Sequence, residues 1–233
     1  MTKGTANHPL SSFYVRMGFL FILLILIGFV PTVFEKYSTD FEFSSALIVH
    51  SVCWTLWYIL FVIQAGFIGS KNYVMHKKIG ILSLLLVGLM AISMLLVIPE
   101  SYARGVPDFI PFTAHHFIML PILDATLMPL FFFMAYLTRK QADVHKHFML
   151  MTCIVLLDPA VGRIGNLLDF PPLGLLLHFG LLALVCLYDR RQDEKIHWVT
   201  KLGISALVLR YAVFFILGPT QFWADLMGSL FSA

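Results

Sequence analysis

The sequence predicts an all-α integral membrane protein, a single domain of seven transmembrane helices covering residues 1–233. Three observations predict this fold class. Of the 233 residues, 59% are hydrophobic and only 12% are charged, whereas about a quarter of the residues in soluble domains are charged. Apolar runs long enough to cross a bilayer recur along the chain, and lysine and arginine concentrate in alternate loops. Together they exclude a water-soluble domain, a disordered chain and a nucleic-acid-binding protein.

Each apolar run approaches or exceeds the roughly 20 residues that a helix needs to cross the hydrocarbon of a bilayer. The seven runs cover approximately 15–34, 45–69, 79–98, 113–137, 147–168, 171–188 and 199–222. The first run is too long for a cleavable signal peptide, so we interpret it as a membrane anchor. Cys53, Cys153 and Cys186 all fall inside apolar runs and show neither a disulfide framework nor zinc-ligand spacing.

The positions of the basic residues predict the orientation, because cytoplasmic loops retain lysine and arginine. The loops on the other side hold only Lys36 and Arg104, and Arg163 and Arg210 fall within helices. The N-terminus is therefore predicted inside and the C-terminus outside, in a multi-pass protein of the bacterial inner membrane. The remaining twelve of the 16 basic residues, all assigned to the inner side, are Lys3, Arg16, Lys71, Lys77, Lys78, Arg139, Lys140, Lys146, Arg190, Arg191, Lys195 and Lys201.

Eight of the nine histidines follow a pattern that predicts repeated helix hairpins of parallel orientation. The hairpins comprise helices 2 and 3, helices 4 and 5 and, in degenerate form, helices 6 and 7. One set of histidines lies a few residues inside the outer ends of helices 2, 4 and 6, and another lies at the inner loops before helices 3, 5 and 7. The outer set is His50, His115, His116 and His178; the inner set is His76, His145, His147 and His197.

The outer histidines form a candidate metal site, because polar groups at that depth need partners or water. His50 continues into a stripe of Trp54, Trp57 and Gln64 at helical spacing, which predicts that it faces the bundle. Helical periodicity puts His116, rather than His115, on the same side as Asp124. We therefore predict that imidazoles of His50, His116 and His178 converge as metal ligands. The inner histidines are typical of solvated residues at the membrane interface.

Four charged residues fall well inside predicted spans, away from the membrane surface, where each costs about 2.5–3.5 kcal/mol on insertion scales. They are Asp124, Asp158, Arg163 and Arg210. One interpretation is structural pairing of a carboxylate with Arg210 or a histidine. The alternative is functional: Arg163 binds an anionic group, and Asp124 or Asp158 acts as a catalytic base or proton relay.

Prolines also interrupt helices 4 and 5, and each removes one helical hydrogen bond. Pro121 and Pro129 lie in helix 4 and Pro159 follows Asp158 in helix 5. Such a break is tolerated in a membrane where it packs against protein or lines a cavity. The sequence after Pro159 is therefore a candidate cavity wall, with an ordinary kink as the alternative.

Residues 45–168 resemble a group of bacterial polytopic membrane proteins that have no assigned reaction. The shared features are His50 with Trp54 and Trp57, the His76-Lys77-Lys78-Ile79-Gly80 loop, and the segment from His145-Lys146 through Met149 to Arg163. A remoter similarity is to cytochrome b561-type electron carriers. That similarity implies haem ligation by His50 with His116 on the outer side and by His76 with His145 or His147 on the inner side.

Four functions remain open from the sequence. The first is a haem b or related redox protein, in which Arg163 faces a propionate. The second is a metal-dependent intramembrane hydrolase with Asp124 or Asp158 as base. The third is a proton, ion or small-molecule transporter, and the fourth is a non-catalytic assembly protein. The expected partners are the lipid bilayer, a small-molecule ligand or redox partner, and further copies of the chain.

Overall fold

A computed structural model describes residues 13–39, 41–106 and 112–231, and over these ranges the secondary structure is helical, with no strand. The all-α prediction is confirmed. Lys3, assigned above to the inner side, lies outside the described residues. The helices are α1 (Phe13–Tyr37), α2 (Ser45–Gly69), α3 (Tyr73–Arg104), α4 (Ala114–Phe117), α5 (Met119–Leu137), α6 (Ala142–Val155), α7 (Asp158–Leu167), α8 (Pro172–Asp193), α9 (Trp198–Leu217) and α10 (Gln221–Phe231).

Within the described ranges, six helical segments are long and apolar enough to cross a membrane, and the number is seven if the bent pair of α6 and α7 forms one span. The fourth span is α4 and α5 together, Ala114–Leu137. Long apolar side chains remain on the outside of these helices, as expected for a surface that contacts acyl chains. The described chain therefore has the architecture of a multi-pass helical membrane protein.

The third helix is longer at both ends than the predicted 79–98. It begins at Tyr73, where Oδ1 of Asn72 accepts a hydrogen bond from the Met75 amide at 3.2 Å and caps the first turn. It continues through Pro99 to Arg104, whose guanidinium pairs with Glu100 one turn earlier. Pro99 therefore lies inside α3, and the polar last turn that follows it contains its own ion pair.

The predicted breaks in helices 4 and 5 are present. Ile118 separates α4 from α5 shortly before Pro121, and two residues separate α6 from α7 just before Pro159. Pro129 remains inside α5. The backbone is therefore interrupted at two of the three prolines.

The last predicted span ends early. α9 stops at Leu217 rather than at residue 222, because the Gly218-Pro219 pair interrupts the helix. A separate helix, α10, then runs from Gln221 to Phe231. The sequence analysis did not predict this helix.

The contacts divide the chain into two compact units, which we describe separately. In the first (residues 1–43, 51–90 and 157–184), α1 packs closely on α7. Gly28 makes this possible, since a Cβ there would overlap the carbonyl oxygen of Ala160. In the second (44–50, 91–156 and 185–233), α5 and α6 form a tightly packed hairpin, α9 lies against both, and α10 packs on α4.

Candidate functional site

A cluster of histidine and carboxylate side chains lies in the second unit where α6 and α9 begin. Asp143, His147 and His197 each offer one ligand-type atom, and these atoms lie within 4.8 Å of one another. His147 is buried, His197 is half-buried and Asp143 is exposed. Among the described residues, this is the group of three or more such side chains close enough to share a metal ion.

The local sequence explains how these side chains meet. Asp143 and His147 are four residues apart at the start of α6, so they occupy the same face of the helix. His197 is the N-cap of α9, where its Nδ1 accepts a hydrogen bond from the Val199 amide at 3.2 Å. Nε2 of His197 lies 3.1 Å from Oδ2 of Asp143, and because Nδ1 accepts, it is Nε2 that donates.

Asp189, near the end of α8, holds the cluster together. Its Oδ1 accepts from Nε2 of His147 at 3.0 Å. Its Oδ2 accepts from the His197 amide at 3.0 Å and from the Thr200 hydroxyl at 2.6 Å. A carboxylate that is only 3% exposed thus has three donors from two other helices. This satisfies the requirement that a buried charge be paired and hydrogen-bonded.

The His147 ring is placed between two acceptors. Its Nδ1 lies 2.7 Å from the Asp143 carbonyl oxygen, and its Nε2 faces Asp189. The ring therefore joins the first turn of α6 to Asp189 near the end of α8.

The rings of His147 and His197 stack, with centroids 4.0 Å apart and planes 9° from parallel. Burial, and secondarily the neighbouring His147, hold the pKa of His197 below its usual value. The stacked geometry matters for metal binding, because the lone pairs of the two rings lie in parallel planes and do not converge on one ion.

Beside the cluster is a pocket of about 630 Å³. Lys146 also reaches the site, with Nζ 2.6 Å from Oδ1 of Asp143. The cluster is therefore accessible to a small ion, and Asp143 already has two cationic or hydrogen-donating neighbours. The pocket is lined by Asp143, Asp193, Lys195, Ile196, His197, Trp198 and Lys201.

The three histidines predicted to converge each have a protein partner of their own. Nδ1 of His50 lies 3.2 Å from Oγ of Ser93, and Nδ1 of His178 lies 3.7 Å from Oδ1 of Asp158. Nε2 of His116 donates to the Phe214 carbonyl oxygen at 2.9 Å. The metal-ligand group that the structure brings together does not include them. Their joint role as ligands stays a prediction.

His116 is buried and His115 is half-buried, as helical periodicity predicts. The rings of Phe112 and Phe214 pack on His116, with centroids 4.7 and 4.4 Å from that of the imidazole. In the described structure, these phenylalanines occupy positions beside the imidazole that was considered as a haem ligand. The haem arrangement with His50 stays a prediction.

The inner histidines His76 and His145 are also engaged. The Gln64 amide, turned so that its nitrogen faces acceptors, donates to Nδ1 of His76 at 2.6 Å. Nδ1 of His145 donates to the Ala135 carbonyl oxygen at 2.8 Å, which joins the start of α6 to the end of α5. These contacts are structural, and the roles of the two residues as cofactor ligands stay predictions.

Asp124 and Arg210 form a buried ion pair between α5 and α9. Nε of Arg210 donates to Oδ1 of Asp124 at 2.7 Å, and Nη2 donates to Oδ2 at 3.0 Å. Both side chains are almost inaccessible. The structural pairing considered from the sequence is therefore present, and Asp124 is engaged by the guanidinium on both carboxylate oxygens.

Asp158 and Arg163 both lie on α7. Asp158 opens the helix beside His178, and Nη1 of Arg163 donates to the Pro159 carbonyl oxygen at 2.9 Å. The Arg163 guanidinium also lies over the Phe29 ring, 4.3 Å from its centroid. The predicted catalytic role of Asp158 and ligand-binding role of Arg163 stay predictions.

Sequence reasoning missed Asp143, Asp189 and Thr200. The spacing of Asp143 and His147 was a usable signal, because positions i and i+4 share a helix face. Asp189 followed an apolar run and resembled an ordinary loop charge. Its role depends on α8 continuing to Asp193, four residues beyond Asp189.

Comparisons with protein-family models, with curated proteins and with solved structures give no match. The fold and the cluster by themselves define the class. The chain is a multi-pass α-helical membrane protein with a histidine–carboxylate cluster in its second unit, where α6 and α9 begin.

Proposed function

We propose that this membrane protein binds a divalent transition-metal ion, such as Zn²⁺, through Asp143, His147 and His197. The observation that carries the proposal is that three ligand-type atoms lie within 4.8 Å of one another. Asp143 and His147 share one face of α6, whereas His197 comes from a position 50 or more residues later in the chain. Imidazole nitrogen and carboxylate oxygen are ligands that zinc favours, and three protein ligands leave a fourth position open to water or substrate.

Asp189 supports this assignment. Histidines that bind metals commonly donate their other ring N–H to a carboxylate, which fixes the ring and raises its basicity. Nε2 of His147 already donates to Asp189 in this way. Nδ1 of His147 is therefore the ligand atom in the proposed site, and it lies on the side that faces Asp143.

Loading the site requires a local rearrangement. The His197 ring must turn out of the stack and give up the Val199 amide, and Nδ1 of His147 must release the Asp143 carbonyl. Each lost hydrogen bond costs about 0.5–1.5 kcal/mol net. Structural zinc sites contribute about 10–16 kcal/mol in peptides near neutral pH. Metal binding can therefore offset the rearrangement.

The proposed site also has a side of the membrane. The distribution of lysine and arginine supports an inner-membrane protein with its N-terminus inside. In that orientation the cluster lies at the cytoplasmic end of its helices, beside Lys146, Lys195 and Lys201. The site then takes its metal from the cytoplasmic side.

Elemental analysis of the purified protein tests the proposal. After incubation with Zn²⁺ and dialysis, wild type is expected to retain about one equivalent, whereas His197→Ala and Asp143→Asn lose it. His145→Ala is the matched control, because His145 lies two residues from His147 and its Nδ1 bonds to the Ala135 carbonyl oxygen on α5. Equal zinc in wild type and in both cluster variants would overturn the proposal.

A further inference from the structure

The short helix α10 carries three distinct stripes along its length. At about 100° per residue, positions four apart form a row. Trp223 and Met227 are buried, whereas Phe222, Leu226 and Leu230 are exposed and apolar. A third row, Gln221, Asp225 and Ser229, is exposed and polar.

The buried row fixes the rotation of α10 on its own unit. Nε1 of Trp223 donates to the His115 carbonyl oxygen at 2.6 Å. The Phe231 ring packs on Tyr102, with centroids 5.2 Å apart. Because this row is bound to protein, the other two rows have fixed directions: the apolar row lies on one flank, and the polar row lies nearly opposite the protein.

The apolar row continues a surface that contacts the bilayer. Phe215 and Ile216, at the end of the α9 span, are 54% and 74% exposed, and Phe222 and Leu230 on α10 are 67% and 60% exposed. Only the Gly218-Pro219-Thr220 turn separates the two segments. Exposed apolar side chains therefore continue along the chain from the end of α9 onto one flank of α10.

We infer that α10 is an interfacial helix that lies at the membrane surface, with Phe222, Leu226 and Leu230 inserted at the boundary between headgroups and acyl chains. Its polar row then faces water, where Gln221 and Asp225 bond to each other at 2.7 Å. Many interfacial helices are rich in lysine and arginine, but α10 has neither. Its lipid contact is therefore apolar and independent of anionic headgroups.

Fluorescence quenching in lipid nanodiscs tests the inference. Leu226→Cys and Asp225→Cys are adjacent positions about 100° apart on the helix, and Phe222→Cys and Gln221→Cys form a second pair. Each variant carries an environment-sensitive dye, in discs of zwitterionic lipid alone or with added anionic lipid. Wild type treated with the same dye measures the background labelling of the native cysteines Cys53, Cys153 and Cys186.

The expected result is that acyl-chain nitroxides quench the dye at positions 222 and 226 several-fold more strongly than at 221 and 225. Aqueous iodide should show the reverse preference, and both results should hold in both lipid mixtures. Equal iodide quenching within each pair would overturn the inference, because the apolar row would then face water. Protection of 222 and 226 from both quenchers would also overturn it, because another protein surface would then cover them. A requirement for anionic lipid would contradict the apolar mode of contact.

Discussion

Nε2 of His147 donates to Oδ1 of Asp189 at 3.0 Å, across 42 residues of sequence. This bond joins α6 to α8, and the second oxygen of Asp189 joins both to the start of α9. The same carboxylate that stabilises three helix ends also fixes the ring of a proposed metal ligand. Stability and binding at this site are therefore linked through one residue.

Asp189→Asn is expected to lower zinc affinity by about 10–100-fold, the range found when supporting partners of metal ligands are changed. An asparagine keeps one acceptor oxygen for three donors, so it cannot hold both His147 and the start of α9. Zinc titration against a competing chelator measures the effect. Asp193→Asn, at the pocket rim, is the control and should bind as wild type. Unchanged affinity in Asp189→Asn would show that Asp189 does not position His147.

The Asp124–Arg210 pair is expected to stabilise the bundle. Removing one partner with Asp124→Leu leaves a buried guanidinium and should cost about 3–5 kcal/mol. The double variant Asp124→Leu/Arg210→Met removes both charges and should recover most of that loss. Thermal unfolding in detergent compares the two. A double variant as unstable as the single one would contradict this account.

Gly28→Val is expected to destabilise the protein by about 1–3 kcal/mol, the usual cost of overpacking. The new side chain would overlap the Ala160 backbone and push α1 away from α7. Gly88→Val is the matched control, since a Cβ there meets nothing within 4 Å. The same unfolding assay applies, and equal stability of the two variants would disprove close packing at Gly28.

Zinc affinity is expected to fall on acidification, because protons compete with the metal for imidazole. Burial and His147 lower the pKa of His197, so this ligand stays neutral to a pH below its usual value. Affinity should therefore fall as the pH drops through the range in which the imidazole ligands take up protons, by about tenfold per pH unit for each proton taken up. Zinc competition titrations from pH 7.5 to 5 measure this pH dependence of the zinc affinity. Constant affinity down to pH 5 would argue against histidine ligation.

Hydrophobic run length and composition predicted most of the spans, because crossing a bilayer imposes a minimum length of apolar chain. The ends of α3 and α9 were harder to predict. They depend on the Glu100–Arg104 pair and on the Gly218-Pro219 turn, which are local features that hydropathy averages out. α10 was missed because its three narrow stripes give no long apolar run.

The candidate site was predicted less well than the fold. Histidine positions along the chain favoured a trio on the outer side, but depth alone does not determine which rings meet. His50, His116 and His178 each lie beside a hydroxyl, carbonyl or carboxylate oxygen, and their joint role as ligands stays a prediction. His147 and His197 were noted but interpreted as solvated interfacial residues, since their shared partner, Asp189, could be identified only from the packing of α8.

X-ray absorption spectroscopy of the zinc-loaded protein tests the proposed metal site most directly. We expect a first shell of two imidazole nitrogens at about 2.0–2.1 Å with oxygen from Asp143 and water. His197→Ala, which is expected to lose its zinc on dialysis, should not show this two-imidazole shell when zinc is added back. A shell of oxygen alone, or one that still contains two imidazoles in His197→Ala, would contradict binding at Asp143, His147 and His197.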